Sequence, residues 1–61
     1  MDARIKHVSD RYKEIYQGEF CIIKMFLDDE DFWNIRTMTE DLTFSSFFSA
    51  MAWVNEKGLV F

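Results

Sequence analysis

The chain contains no proline, two glycines, one cysteine and one histidine among its 61 residues. A single cysteine cannot form an intramolecular disulfide, and one histidine with one cysteine cannot build a zinc site of the usual Cys/His type. The lack of a disulfide framework favours a reducing, intracellular environment. Cys21 lies in an apolar run, so we expect a buried structural thiol rather than a reactive one.

Signals for secretion and for membrane insertion are also missing. Asp2, Arg4, Lys6 and Asp10 interrupt the amino terminus, which is unlike a signal peptide. The longest weakly polar run, residues 42–54, has 13 residues, whereas a membrane-spanning helix needs about 20. We therefore expect a cytoplasmic protein without membrane contact.

The length allows one domain at most, over residues 1–61, and a chain this short buries only about 60% of the surface that its unfolded form exposes. Apolar residues make up 49% of the chain and aromatic residues 18%, which is too many for a disordered protein. Because compact domains of this size often need a partner for stability, we expect association, with a homodimer as its simplest form.

Charge is distributed unevenly along the sequence, whose net charge is −4. Residues 1–17 carry a net charge of +1, whereas residues 28–41 carry six acidic side chains against Arg36 alone. An acidic segment without a matching basic patch argues against direct nucleic-acid binding through phosphate neutralisation. It favours a basic protein partner. The predicted contact surface consists of Asp28, Asp29, Glu30, Asp31, Glu40 and Asp41.

The first part of the chain shows the spacing of an amphipathic helix over residues 3–16. Its apolar side chains recur at intervals of 3, 4 and 3 residues, which places them on one face of a helix. They are Ile5, Val8, Tyr12 and Ile15. An alternative remains open, in which Ser9 and Asp10 cap a shorter helix and residues 3–8 are extended.

A β-hairpin is predicted next. Residues 20–27 (FCIIKMFL) are apolar on both faces apart from Lys24, which is typical of a strand that is covered on both sides or lies centrally in a sheet. Residues 28–31 form an acidic connection, and residues 32–38 return as the second strand. This hairpin carries Trp33, whose large ring would supply the desolvated contact with a partner.

The last predicted element is a helix over residues 43–57, capped by Thr39 or Thr43. Its apolar stripe consists of Phe44, Phe47, Phe48, Met51 and Val54. The opposite side carries small residues and one large ring, where a surface helix usually carries charges. We therefore predict an oligomer interface on that side. Its residues are Ser45, Ser46, Ser49 and Trp53.

These elements predict a small α+β domain in the order α-β-β-α, with an antiparallel β-hairpin packed against helices. Gly58 would end the second helix, and residues 59–61 could add a short C-terminal strand. Because an isolated two-stranded hairpin is marginal in water, the hairpin is a second reason to expect association.

Catalytic chemistry has little support in the sequence. His7 lies among charged residues, so we expect a solvated side chain rather than a catalytic base. Gly18 and Gly58 are 40 residues apart and cannot form a phosphate-binding loop together. The acidic stretch at residues 28–31 lacks the spacing of an EF-hand, so we predict no metal site there. With no other catalytic or cofactor-binding motif, we also predict no enzyme activity and no cofactor. A solvated turn and a hard-cation site remain as alternative interpretations of residues 28–31.

The functional hypothesis is a non-enzymatic inhibitor or adaptor that uses its acidic surface against a basic, nucleic-acid-processing protein. Its carboxylates would occupy a site meant for phosphates and accelerate association electrostatically. Compact acidic proteins are frequent among virus-encoded proteins that act against host or defence enzymes, an analogy that uses size and charge alone. The alternative hypothesis is a structural or regulatory subunit that assembles through the Trp53 side of the second helix.

Overall fold

The computed structural model describes residues 3–57, which form an antiparallel sheet followed by a helix. The elements are β1 (Ala3–Ser9), β2 (Tyr12–Gln17), β3 (Phe20–Leu27), β4 (Trp33–Arg36), β5 (Asp41–Phe44) and α1 (Phe47–Glu56). The sheet is a meander, because each strand pairs with the next along the chain in the order β1-β2-β3-β4-β5. The strand predicted for residues 59–61 lies outside the described residues.

The predicted fold class, an α+β domain in the order α-β-β-α, is wrong, because the described residues are mostly β. The largest error concerns residues 3–16, where the structure has the β1–β2 hairpin instead of a helix. Ile5 and Ile15 lie opposite each other across this hairpin, so strand pairing brings together the same apolar residues as a helix face would. The alternative with residues 3–8 extended is right about those residues and wrong about the shorter helix.

Strand β3 is confirmed with its predicted bounds, and the return strand is confirmed in a shorter form. β4 is shorter than predicted because the chain turns immediately before and after it. Before β4, the Asp28 N–H donates to the Phe32 carbonyl oxygen at 3.0 Å. After β4, the Thr37 N–H donates to the Glu40 carbonyl oxygen at 2.9 Å. These turns place β3 in the middle of five strands, which agrees with its apolar character on both faces.

The second helix begins later than predicted, at Phe47, because the preceding residues form β5. Leu42 and Phe44 alternate with more exposed neighbours and pair with β4, which is the pattern of a strand rather than of a helix. The N-cap is Ser46, whose side chain accepts a hydrogen bond from the Ser49 N–H at 3.1 Å. The helix therefore has a serine cap instead of the expected threonine.

The core lies between α1 and one face of the sheet. The Trp33 ring is 5.0 Å from the Phe47 ring in an edge-to-face arrangement, which joins β4 to the first turn of α1. Full burial of an aliphatic side chain contributes roughly 1.5–3 kcal/mol, so a few such residues hold the two layers together. The buried residues are Ala3, Ile15, Ile23, Met25, Trp33, Ile35, Ala50 and Val54.

The opposite face of the sheet, called the open face below, is not covered by α1. Because side chains alternate along a strand, burial of Ile15 on the helix side directs its neighbours Glu14 and Tyr16 to the open face. None of the described residues on this face is buried. By register, the open face comprises Arg4, Lys6, Tyr12, Glu14, Tyr16, Cys21, Lys24, Phe26, Asn34, Arg36, Asp41 and Thr43.

Candidate binding surfaces

Asp28 holds the loop between β3 and β4 together. Its Oδ1 accepts hydrogen bonds from the backbone N–H groups of Glu30 and Phe32, at 2.9 and 3.0 Å. Its Oδ2 accepts one from the Asn34 side chain at 2.9 Å. The bond from Asn34, followed by that from Phe32, lowers the pKa of Asp28 because these donors favour the charged carboxylate. The carboxylate of Asp28 is therefore used inside the loop and fixes its shape.

The next three carboxylates, Asp29, Glu30 and Asp31, are exposed at the tip of this loop. Asp31 has a φ of 64°, a left-handed conformation that few residues other than glycine adopt. Phe32 follows with 38% of its surface exposed, so an apolar ring borders the carboxylates. Residues 28–32 are called the acidic loop below.

The turn between β1 and β2 lies beside the acidic loop. The Arg11 Nη2 donates to the Asp28 carbonyl oxygen at 2.9 Å, and the Leu27 N–H donates to the Arg11 carbonyl oxygen at 2.8 Å. Asp10, the neighbour of Arg11 in this turn, is exposed. One end of the sheet therefore brings exposed carboxylates from two separate loops together.

Glu40 and Asp41 do not join this surface. The acidic loop precedes Trp33, whereas Glu40 and Asp41 follow Arg36, so the two acidic segments lie at opposite ends of β4. Asp41 Oδ1 also accepts a hydrogen bond from Arg36 Nε at 2.9 Å, as an ion pair between exposed side chains. The six carboxylates that the sequence predicts as one surface thus belong to two separate parts of the molecule.

Both tryptophans lie against other side chains of the chain. Trp33 is only 8% exposed, beneath Phe47, so its ring is part of the core rather than of a surface. Trp53 is half-buried, with its ring 6.4 Å from that of Phe44 and 4.9 Å from the Lys57 Nζ. The structure thus gives each predicted contact ring a role within the fold.

The serines predicted at the oligomer interface have different environments. Ser45 is exposed, whereas the Ser46 hydroxyl lies 3.1 Å from the Ser49 hydroxyl and caps α1. Phe48 was expected in the core stripe of the helix, but it is 85% exposed. The helical spacing therefore predicted the wrong side for this ring, and Phe48 is the large apolar residue that α1 presents outward.

A row of charged side chains crosses the open face from one edge of the sheet to the other. It consists of Lys6, Glu14, Lys24, Arg36 and Asp41, each directly opposite the next on the neighbouring strand. The signs along this charged row are plus, minus, plus, plus and minus. Lys24 and Arg36 are therefore two like charges in direct opposition, which is unfavourable for strand pairing.

Two tyrosines enclose Glu14 on the open face. The Tyr12 hydroxyl donates to Glu14 Oε2 at 2.8 Å, and the Tyr16 hydroxyl donates to Oε1 at 3.0 Å. These bonds, that from Tyr12 first, lower the pKa of Glu14. Desolvation and then the bond to Glu14 raise the pKa of Tyr12 to about 12, and the same kind of bond raises the pKa of Tyr16. At neutral pH, an ionised Glu14 is thus held between two protonated tyrosines.

Aromatic rings lie on both sides of the charged row. Tyr12 is directly opposite Phe26, and the Arg4 guanidinium lies 5.6 Å from the centre of the Tyr16 ring. Sequence reasoning missed this surface because it assigned residues 3–16 to a helix. The available signal was the alternation of apolar and basic residues at positions 3–6 (ARIK), which has the period of a strand.

Other chemistry is sparse in the part of the chain that the structure describes. Residues 3–57 contain no group of three or more His, Cys, Asp or Glu side chains placed to hold a metal ion. Over the same residues, no helix has the length and apolar character needed to cross a membrane. His7 is exposed, and Cys21 is only half-buried, with its Sγ 3.5 Å from the Ile23 carbonyl oxygen.

Comparisons with protein-family models, with curated proteins and with solved structures gave no match to this chain. The proposals below therefore use the geometry and charge of the described residues.

Proposed function

We propose that this protein is a non-enzymatic, protein-binding inhibitor or adaptor, and that its acidic loop docks on a basic surface of the partner. The partner class is a cytoplasmic nucleic-acid-processing protein, because a site made for phosphates attracts carboxylates. Asp29, Glu30 and Asp31 provide the charge, and Asp10 on the adjacent turn extends it.

The observation that carries this proposal is an exposed aromatic ring beside exposed carboxylates on a loop with a fixed shape. Phe32 supplies apolar area that a partner can desolvate, and its neighbours supply charge complementarity. The three hydrogen bonds to the Asp28 carboxylate order the loop before binding. A loop that is already ordered loses less conformational entropy when a partner docks.

Two steps of association follow from this arrangement. The carboxylates first attract a basic partner over a distance set by the ionic strength, which raises the association rate. Burial of the Phe32 ring then slows dissociation, because apolar area is removed from water. The association rate therefore depends strongly on salt, and the lifetime of the complex depends on it less.

The test is a matched pair of charge reversals. Asp29→Lys with Glu30→Lys alters the acidic loop, and Glu19→Lys with Glu40→Lys changes the net charge equally at exposed positions outside it. Tagged forms of both variants and of the native chain capture proteins from nuclease-treated lysate at low and high salt, with identification by mass spectrometry. The captured partner is then purified for measurement of association and dissociation rates.

We expect the loop variant to associate with this partner at least roughly tenfold more slowly, and the control to behave as the native chain. Equal losses in both variants would mean that net charge alone matters. Unchanged binding by the loop variant would refute the proposal.

The exposed Phe48 favours the second candidate, a structural or regulatory subunit assembled through α1. Phe48 is 85% exposed and offers apolar area that a second molecule could cover, although a single exposed ring is smaller than the contiguous patches that usually mark an interface. Sedimentation analysis of the native chain and of Phe48→Ser checks it. A dimer that becomes a monomer on this substitution supports assembly through α1, and a native monomer excludes a homodimer.

A further inference from the structure

We propose that the open face binds single-stranded nucleic acid, with its basic side chains on the phosphates and its aromatic rings against the bases. This inference goes beyond the protein-binding function proposed above, because it concerns other residues, the other sign of charge and another class of ligand. It combines two independent observations, the charge of the face and the placement of its rings.

The charge of the open face is opposite to that of the whole chain. The face holds four basic and two acidic side chains, a net charge of +2, whereas the chain has a net charge of −4. The basic residues are Arg4, Lys6, Lys24 and Arg36. They come from three different strands, β1, β3 and β4, so a count along the sequence does not detect them as a patch. The expectation of no direct nucleic-acid binding relied on the absence of such a patch.

The acidic loop borders one end of the open face, where Asn34 bonds to Asp28, but it lies away from the centre of the charged row. Lys24 and Asp28, which follows the end of β3, are four residue steps apart, a distance of about 13 Å at 3.3 Å per residue. The Debye length at physiological ionic strength is about 8 Å, so the exposed loop carboxylates are largely screened from a ligand on the charged row. The two surfaces therefore act on different ligands.

The direct opposition of Lys24 and Arg36 is informative about the ligand. Two like charges in register weaken strand pairing, and an anion bound between them would remove the repulsion. Arg36 forms an ion pair with Asp41, whereas the Lys24 ammonium has no salt-bridge partner within 4 Å among the described residues. Lys24 is thus the best placed cation for a phosphate contact.

The rings flank the charged row at two positions. Tyr12 and Phe26 form one pair across β2 and β3, and Tyr16 with the Arg4 guanidinium forms the other. Tyr12 and Tyr16 are four residues apart on one strand, about 13 Å, with Glu14 between them. Sheets that read single strands stack two or three bases on aromatic rings, with cations beside them for the backbone; Tyr12, Tyr16 and Phe26 are half-buried and offer part of their ring surface for such contacts.

Glu14 gives the proposal its sharpest test. Its ionised carboxylate lies in the middle of the charged row and opposes an anionic ligand. Glu14→Gln keeps the shape of the side chain and removes one negative charge; the amide oxygen still accepts from one tyrosine, and the amide nitrogen donates to the hydroxyl oxygen of the other. We therefore expect this variant to bind more tightly than the native chain, a result that partial unfolding does not produce.

The experiment measures fluorescence anisotropy of a labelled oligo(dT) of about twelve nucleotides, a length within the range covered by single-strand binders. The salt concentration is varied from about 50 to 200 mM. Far-UV circular dichroism checks the fold of each variant. The test variants are Glu14→Gln, Lys24→Glu and Tyr16→Leu. Their matched controls at exposed positions away from the open face are Glu19→Gln and Lys57→Glu.

We expect binding that weakens with salt, with a slope of log K against log salt near −2 if about three phosphates are contacted. Glu14→Gln increases affinity, Lys24→Glu decreases it and reduces the slope, and Tyr16→Leu decreases affinity roughly tenfold. Glu19→Gln, which removes a negative charge, increases affinity, and Lys57→Glu, which makes the chain more negative, decreases it. Both factors are smaller than those of the matched test variants.

Three results would overturn the proposal. The first is no binding at the lowest salt concentration. The second is equal effects of the test variants and their controls, which would mean a general charge effect. The third is equal affinity for heparin or polyglutamate, which have no bases to stack and would identify a surface for polyanions of any kind. None of these results bears on the acidic loop, so this proposal and the protein-binding function fail independently.

Discussion

Replacement of Trp33 by alanine distinguishes a core residue from a surface contact. The structure buries this ring between β4 and α1, in edge-to-face contact with Phe47, whereas the sequence predicts a contact with a partner. Trp33→Ala therefore has opposite consequences in the two cases. A core role requires a large loss of stability, and a surface role requires almost none.

The loss expected from the structure is about 3–5 kcal/mol, the usual cost of truncating a buried aromatic side chain to alanine. About 0.5–1.5 kcal/mol of this comes from the ring pair with Phe47. A domain of 61 residues has a total stability of roughly 3–9 kcal/mol at the usual value per residue. Trp33→Ala is thus expected to lose between about one third and all of the stability, whereas Trp33→Phe keeps a ring and loses about 1 kcal/mol.

Urea unfolding followed by far-UV circular dichroism measures both variants, and Trp53 remains as a fluorescent reporter of the core. A double-mutant cycle that combines Trp33→Leu with Phe47→Leu removes one ring in each single variant and isolates the contribution of the ring contact. A native-like midpoint for Trp33→Ala would refute the core placement and restore the sequence prediction of a surface contact. Coupling near zero in the cycle would instead refute only the contact with Phe47.

Three further predictions concern local features. The pKa of Tyr12 is raised to about 12, so its contribution to stability is fully present below pH 10 and is lost as the pH rises from about 10 to 12, because the unfolded chain ionises first. Tyr12→Phe should remove this part of the alkaline loss of stability, measured by circular dichroism. Gly18 has a φ of 64° with nothing near its missing Cβ, so Gly18→Ala should cost about 1 kcal/mol of stability from backbone strain alone. This loss should lower the Tm by about 4–8 °C, and an unchanged Tm would contradict the left-handed conformation of Gly18. Ser46→Ala should cost about 1 kcal/mol through loss of the helix cap, and Ser46→Asp should retain most of the stability.

Proximity of the two proposed binding surfaces has a consequence for how the molecule works. The acidic loop and the open face lie on one sheet and are joined by β3, so under the two proposals a single molecule would bind two ligands of opposite charge. A nucleic-acid-processing enzyme offers both a basic surface and a bound single strand. Binding of oligo(dT) and of the captured partner should therefore be measured together as well as separately.

Strand β3 was predictable because its apolar residues continue over both faces, a pattern that only a central strand or a buried helix satisfies. The β1–β2 hairpin was not predictable from this kind of pattern. Ile5 and Ile15 fall on one face of a helix, and they also pair across a hairpin, so the spacing of apolar residues does not decide between the two. The alternation of apolar and basic residues at positions 3–6 was the better local signal, but it covers only four residues.

The sequence by itself determined the size limit, the uneven charge, the central strand and the acidic loop, because each of these depends on residues that are neighbours along the chain. Only the tertiary structure decided which rings are buried and which charges lie side by side. Trp33 is covered because α1 returns over the sheet, and Phe48 is exposed because the helix turns Ala50 and Val54 inward. The charged row exists because five strands align in register, and register across strands is a property of pairing rather than of sequence spacing.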